Sequence, residues 1–486
     1  MNFEKARRLV TDLVRVNERY ARDGHYRNDV RERLGRTVSR VDVRVARRER
    51  DRAPLAARPF EGLVETSLAI AGIRTVDREP EVVLVVDELR EGAAFAGVQT
   101  ALAVAIALGE RTGRRVRVVM VRWTTPGNSA AAAEALVAER FPETRVDGRP
   151  GVRVVRREDV LDETFGRDDV WIATHWKTAH PLDVAVTAGV VPRDRVVYLV
   201  QDYEPGFSPW STEYAVAAST YRAGFRMLVN SEPLRQYLAE VEDVDVPRDR
   251  SFAPHLDLEL LERVAAARRH EDTVRVLFYG RPSKHRNLFR LGVAALRVAV
   301  QELAGDGLRV EFHSAGEQHG DVELDGGAGD VKLVSHGTMP WDDYFRFIAS
   351  TNVVLSLQHS PHPSHPPFDG AISGARVVTN EFRDTRGHLH PNLTAVPADA
   401  RSLGLAVADA VRRAAAEGPT PFAPVADGAL GGPLDAAVDA LATALQQGEA
   451  AAGAHSAAGA HTTAQAHDAA ATTSESTTDP AEEQPR

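Results

Sequence analysis

The chain has 486 residues, 43% of them hydrophobic and 26% charged, with a net charge of −10 and no cysteine. That is the composition of a globular protein with room for two ordinary domains. It excludes disulfides, thiolate nucleophiles and zinc–thiolate sites.

Charge is unevenly spread. Residues 1–58 hold 17 basic against 9 acidic side chains, a net of +8, which leaves the remainder near −18. Leu9, Leu13 and Val16 are spaced as on one helical face. The expectation for 1–58 is an Arg-rich helical segment that packs on the body or on a partner chain. Peripheral contact with an anionic membrane is the second reading. The opening MNFEKARRLV lacks an apolar signal core, and no run of about 18 apolar residues follows anywhere. The expected location is therefore cytoplasmic, or the inner face of the cell membrane.

From residue 59 the pattern changes. VVLVV (82–86) precedes a helix-like stretch over 95–113, and VRVVMV (116–121) precedes another over 129–141. VRVV (152–155), VWIAT (170–174), VVYLV (196–200) and FRMLVN (225–230) follow. Runs that are apolar on both faces and separated by helices predict a parallel sheet covered on both sides. The alternation stalls over 240–272, which is polar, and then restarts. VRVLFYG (274–280), VEFHS (310–314), VKLVSHG (331–337), NVVLSLQ (352–358) and RVVTN (376–380) form the second set, with helices near 287–304 and 340–350. The expected fold is α/β, with two doubly wound domains over 59–255 and 256–448, a hinge near 245–272 and a ligand cleft between them. Residues 449–486 contain no large apolar side chain and are expected to be disordered.

No Walker loop, GxGxxG, GxSxG or HExxH is present. Three stretches remain, each at a strand end. In FYGRPSKHRNLF, Gly280 allows a tight turn before Arg281, Lys284 and Arg286, and cations beside a helix start suit a phosphate-bearing ligand. In LQHSPHPSHPPFDG, prolines forbid a helix across most of the loop. Polyproline II geometry would align His359, His362 and His365. Contact with a sugar or phosphate, a solvated loop and a metal site all stay open there. A short helix starting at Pro366 or Pro367 would carry Asp369, end near Gly374 and turn its free N–H groups toward the cleft. In IATHWKTAH and VQDYEPGFSPW, His175, Asp202 and Glu204 stand beside Trp176, Tyr203 and Trp210. Carboxylates bond hydroxyls and rings stack on C–H faces, so this group suits a carbohydrate.

With WIATHWKTA, YLVQDYEP, STEYAVAASTYRAGF, VNSEPL, FYGRPSKHRN and HPSHPPFDGAISGARVVTN in this order, the chain resembles the GT-B glycosyltransferases of glycosyltransferase family 4, and among them the WsaF-type rhamnosyltransferases. The resemblance runs from about Val82 to Asn380. It implies two facing Rossmann-like domains, the first receiving the acceptor and the second the nucleotide-diphosphate sugar. Arg281 and Arg286 match the family's basic pair on the donor diphosphate, with Lys284 a substitute. His175 matches a histidine near the donor sugar. Gly97 falls where small residues lie beneath the phosphates, although the usual double glycine is absent. The family's paired glutamates are missing: Pro361 stands at the first position and Asp369 at the second, with His362 or Ser364 as replacements. Asp202 or Glu204 would orient the acceptor. The resemblance further implies retention of configuration, no metal and no cofactor, with dTDP-L-rhamnose as donor and a glycan or lipid-linked glycan as acceptor. No nucleic-acid partner is expected. An inactive glycan-binding relative and a nucleotide-sugar 2-epimerase are the alternatives.

Overall fold

The computed structural model describes residues 40–89, 96–123, 128–142, 145–146, 149–208, 210–326 and 330–450. The expectations for Leu9, Leu13 and Val16, and for the tail beyond 450, lie outside them.

Val82–Val86 and Val196–Val200 are buried at every position. That is why they read as unbroken apolar runs rather than alternations. They belong to a seven-stranded parallel sheet whose order, by first residue, is 251, 226, 196, 170, 82, 116, 152. Val82 pairs with Val116 on one side and Val170 on the other. The chain therefore starts in the middle, winds outward one way and then crosses back. The second sheet repeats this plan in the order 322, 332, 309, 273, 353, 376, 393. Val276 pairs with Val310-side strand Arg309–Gly316 through Phe312, and with Val353 on its other edge. Among the described residues, only the short strand Val322–Glu323 runs antiparallel within this sheet.

A doubly wound sheet leaves a crevice where the winding direction reverses, because adjacent loops there turn to opposite faces. In the first sheet that point lies between Val82–Val86 and Val170–Ala173. In the second it lies between Thr273–Gly280 and Val353–Leu355. The two crevices face each other: Asp202, beyond one strand of the first sheet, pairs with Arg286, beyond the first strand of the second. The protein has the GT-B fold.

The proposed boundaries need correcting in three places. Residues 434–448 are expected in the second domain and 449–450 in the disordered tail, but 434–450 form one helix that belongs to the first domain. Its residues Ala437, Val438, Leu441 and Leu445 are buried in the core of the first. The chain returns by way of Gly432, which bridges to Phe252 and accepts the Ala253 N–H at 2.8 Å. Arg111 then pairs with Asp435 at 3.1 Å, and Glu449 pairs with Arg114 and Arg195. Helical periodicity says that a face is buried but not against which sheet. Secondly, helix Arg40–Arg52 packs on the body, the first of the two readings of 1–58, so the boundary at residue 58 does not set it apart from the first domain. The Arg157 guanidinium donates Nε and Nη2 to the two Glu49 carboxylate oxygens, both at 2.8 Å, with both side chains buried. Thirdly, the stretch read as a hinge near 245–272 contains the strand Ser251–Phe252 and helix Leu258–Ala267. Leu261 and Val264 of that last helix bury in the second core.

Candidate functional site

The second domain brings its cations to the crevice through a strand, a turn and a helix. Strand Thr273–Gly280 ends where a Cβ on Gly280 would lie 2.5 Å from Ser314 Oγ and 3.0 Å from Phe289. Only glycine lets the helix Phe289–Leu303 approach so closely. Glu317 accepts the Ser283 N–H at 2.8 Å, and Asn287, in the short turn His285–Asn287, donates to the Leu357 carbonyl at 3.2 Å. The basic loop is thus tied to both neighbouring strand ends. Arg281 is half-buried and makes no ion pair among the described residues. Lys284 is exposed. The Arg286 guanidinium lies over the Phe207 ring of the first domain, 4.4 Å from its centroid, and its Nε is buried without a hydrogen-bond partner.

The histidine–proline loop forms the facing wall. His359, His362 and His365 do not share a face. His359 packs edge-on against Phe382, His362 is buried, and His365 takes the N-cap position of the following helix without a side-chain bond to it, where burial beside His255 holds its pKa down. Among the described residues, no group of three or more His, Asp or Glu could hold a metal ion. The His362 Nδ1 accepts the Ser364 N–H at 3.1 Å, so a neutral ring carries its proton on Nε2, which is buried without a partner. Burial pushes this imidazole down to about 4, against the pull of Asp202. Ser364 sits at φ +67°, a left-handed backbone that makes the tight turn between the prolines.

Helix Pro366–Ile372 forms where the prolines start it, but it does not turn free N–H groups to the cleft. Pro366 and Pro367 have none, and the Phe368 and Asp369 N–H groups both bond the His365 carbonyl, at 2.9 and 3.0 Å. Asp369 faces inward and accepts the Tyr344 hydroxyl at 3.1 Å, and burial pushes its carboxyl up to about 7.

On the first domain, His175 caps helix Trp176–Thr187 with its Nδ1 on the Lys177 N–H at 3.2 Å. Its Nε2 therefore carries the proton, and burial pushes its pKa down to about 4. The ring stacks 6.3 Å from Phe207, which puts it beside Arg286. Asp202 accepts the Tyr203 N–H at 2.8 Å and the Ser360 hydroxyl from across the cleft. Gly97, at the exposed start of helix Ala96–Thr112, gives its carbonyl to the Gln201 side chain at 2.9 Å.

Three residues expected at the acceptor surface are structural instead. Glu204 is 3% exposed and accepts the Trp176 N–H and the Tyr198 hydroxyl, the latter at 3.0 Å. Trp176 is buried against Val216 and Ala217. Tyr203 is core, with its hydroxyl on Glu242 and on Tyr214 at 3.2 Å. Trp210 is 90% exposed and tilts against Tyr214, with the rings 4.9 Å apart.

Residues 81–231 match the domain family described as WsaF, N-terminal domain, and residues 274–408 match WsaF, C-terminal domain. The chain carries the WsaF pair of domains. The crevice lies between them, and Arg281, Arg286 and the histidine loop all fall within the second. The chain is 33% identical over 292 residues to the O-antigen biosynthesis protein RfbC of Myxococcus xanthus, covering 60% of this chain and 21% of that one. It thus spans about a fifth of the length of that curated relative. Among solved structures it is similar to Anabaena HepE in complex with UDP, with a TM-score of 0.45, 13% identity and coverage of 77% and 100%. It is likewise similar to the sucrose-phosphate synthase of Thermosynechococcus elongatus, with a TM-score of 0.48, 14% identity and coverage of 78% and 100%.

Sequence reasoning missed two supports of the WsaF-type crevice. Arg386, 1% exposed, donates to the Asn380 carbonyl at 2.9 Å and to the Ser360 carbonyl, so it pins the histidine loop. Phe207 joins His175 to Arg286. The aromatic was visible in EPGF, but nothing in FRDTRG marked Arg386 as buried.

The buried Glu204 carboxyl has a measurable signature. Burial pushes it up to about 8 from an ordinary 4.5. The folded chain then holds a proton that the unfolded chain has lost, so stability falls as pH rises from about 4.5 through 8. Glu204→Gln removes that dependence. Relative to the wild type, the variant should gain on the order of a few kcal/mol between pH 5 and 8 in urea unfolding. Parallel pH curves for the two proteins would mean that the carboxyl is ionised in the fold.

Proposed function

We propose that the chain is a glycosyltransferase that moves a sugar from a nucleoside-diphosphate donor to a glycan acceptor in O-antigen or related surface-glycan assembly. The observation that carries this reading is the basic turn at the winding reversal of the second sheet: Arg281, which makes no ion pair among the described residues, follows the strand end, and Arg286 of the same turn shares the Phe207 ring with His175. The WsaF domain pair supports it, as does the relative named for O-antigen biosynthesis.

In this mechanism the bond between the sugar and the diphosphate breaks first, and charge builds on the leaving oxygens. The Arg281 and Arg286 guanidinium groups neutralise it from fixed positions. The Nε2–H groups of His175 and His362 are donors for oxygens of the sugar. The acceptor hydroxyl attacks from the face the diphosphate leaves, with retention of configuration, and the departing phosphate takes its proton. No metal and no cofactor is required. Trp210 and Tyr214 offer the exposed ring surface on which an acceptor sugar would stack. L-rhamnose from dTDP-L-rhamnose is the proposed donor sugar, and a glycan or lipid-linked glycan at the cytoplasmic face of the membrane is the proposed acceptor. No helix among the described residues is long and apolar enough to cross a membrane.

The test is a panel of nucleotide sugars, read first by thermal shift and then by transfer to glycan acceptors. dTDP-L-rhamnose should raise the melting temperature and be consumed. Consumption of a different donor would move the sugar assignment. Binding of glycans without turnover of any donor would favour a non-catalytic glycan-binding protein.

A further inference from the structure

Resting on the donor reading, we infer that Asp202 competes with the donor diphosphate for Arg286, so that donor binding releases this carboxylate into the cleft. Asp202 and Arg286 come from opposite domains, and their side chains are 13% and 26% exposed. The carboxylate Oδ2 lies 3.5 Å from Arg286 Nε, and that Nε is buried without a hydrogen-bond partner. The two are paired in charge but not bonded in geometry. A well-formed guanidinium–oxyanion contact is shorter, about 2.7–2.9 Å, and often two-pronged. The Arg286 fork is therefore neutralised without being satisfied.

The other carboxylate oxygen has two donors, the Tyr203 N–H of its own domain and the Ser360 hydroxyl of the histidine loop. Asp202 thus joins three elements: the loop after Val196–Val200, the basic turn and the histidine loop. A phosphate entering the crevice meets Arg281, which has no counter-ion among the described residues, and Arg286, which has a replaceable one. Two anions cannot share one guanidinium without repulsion, so the more highly charged one displaces the other. The Phe207 ring, 4.4 Å from the Arg286 guanidinium, helps keep the arginine in place while the carboxylate yields. The clasp that joins the domains without a donor then opens, and its carboxylate no longer faces Arg286. Asp202 is in this sense a positioning residue for Arg286 before it faces the acceptor.

Titration calorimetry of the full chain with dTDP and UDP tests this. Asp202→Asn keeps the shape and the Ser360 contact but removes the charge. It should bind the preferred diphosphate about tenfold more tightly than the wild type, within the range of ordinary site-to-site couplings. In an Arg286→Gln background the same change should have no effect, because the gain passes through that one pair. A wild type that binds the diphosphate with Asp202→Asn no tighter would overturn this inference alone. So would a gain that survives loss of Arg286. A wild type that binds neither diphosphate would take down the donor reading and this inference together.

Discussion

Arg281→Ala lowers the rate of sugar transfer at least about a hundredfold, the size expected for one preorganised contact to a developing negative charge, roughly 3–4 kcal/mol. The fold should not change with it. Arg281 has no ion pair among the described residues, so its removal strands no buried carboxylate and leaves the melting temperature near that of the wild type. That separation matters because most buried arginines in this chain do the opposite. Arg268 is 6% exposed and spends its guanidinium on the carbonyls of Ser373 and Thr351. Arg281, at the crevice, makes no ion pair among the described residues. Arg281→Lys should recover only part of the rate, since an ammonium keeps the charge but lacks the planar fork. Transfer kinetics unchanged in Arg281→Ala would refute the donor assignment.

Arg157→Met destabilises the chain by about 3–5 kcal/mol, because it leaves Glu49 buried without a counter-charge. The same side chain lies 3.8 Å over the Trp123 ring and donates to the Glu65 and Val121 carbonyls at 3.0 and 3.3 Å. Helix Arg40–Arg52 is held to the first domain at this point. Adding Glu49→Leu should restore much of the loss, since an apolar pair of similar volume replaces a buried ion pair at little cost. Urea unfolding of the single and double variants measures both. A loss under about 1 kcal/mol would place the pair among surface salt bridges and detach the helix from the body.

Much of the fold was legible because burial on both sides leaves a distinctive mark. Val82–Val86, Val196–Val200 and Arg376–Asn380 have almost no freedom to be anything but central strands. The basic turn was legible for a related reason: a glycine at a strand end followed by Arg281, Lys284 and Arg286 is costly to maintain unless a ligand or a partner answers the charge. The histidine loop was legible only in part. Its prolines announced the break in structure, but they also removed the very N–H donors that the short helix was expected to offer.

The aromatic and acidic residues near Trp176 show where reading along the chain stops. Trp176, Tyr203 and Glu204 have the residue types of a sugar site and the positions of one, yet their side chains turn inward. Trp210, six residues beyond Glu204, is the one of the group left almost wholly exposed. Side-chain direction in a loop carries no period, so composition could not separate them.

The amino-acid order alone determined that there are two doubly wound sheets, which apolar runs form their central strands, and which cations follow the first strand of the second. Those properties follow from local pattern: period, β-branching, proline and glycine. Only the folded molecule decided that helix 434–450 closes the first core, that Glu204 is a buried acid, and that Asp202 and Arg286 meet. Each of these is a contact between residues far apart in the chain. Its energy depends on which surfaces the two domains present to each other, and that information no single segment contains.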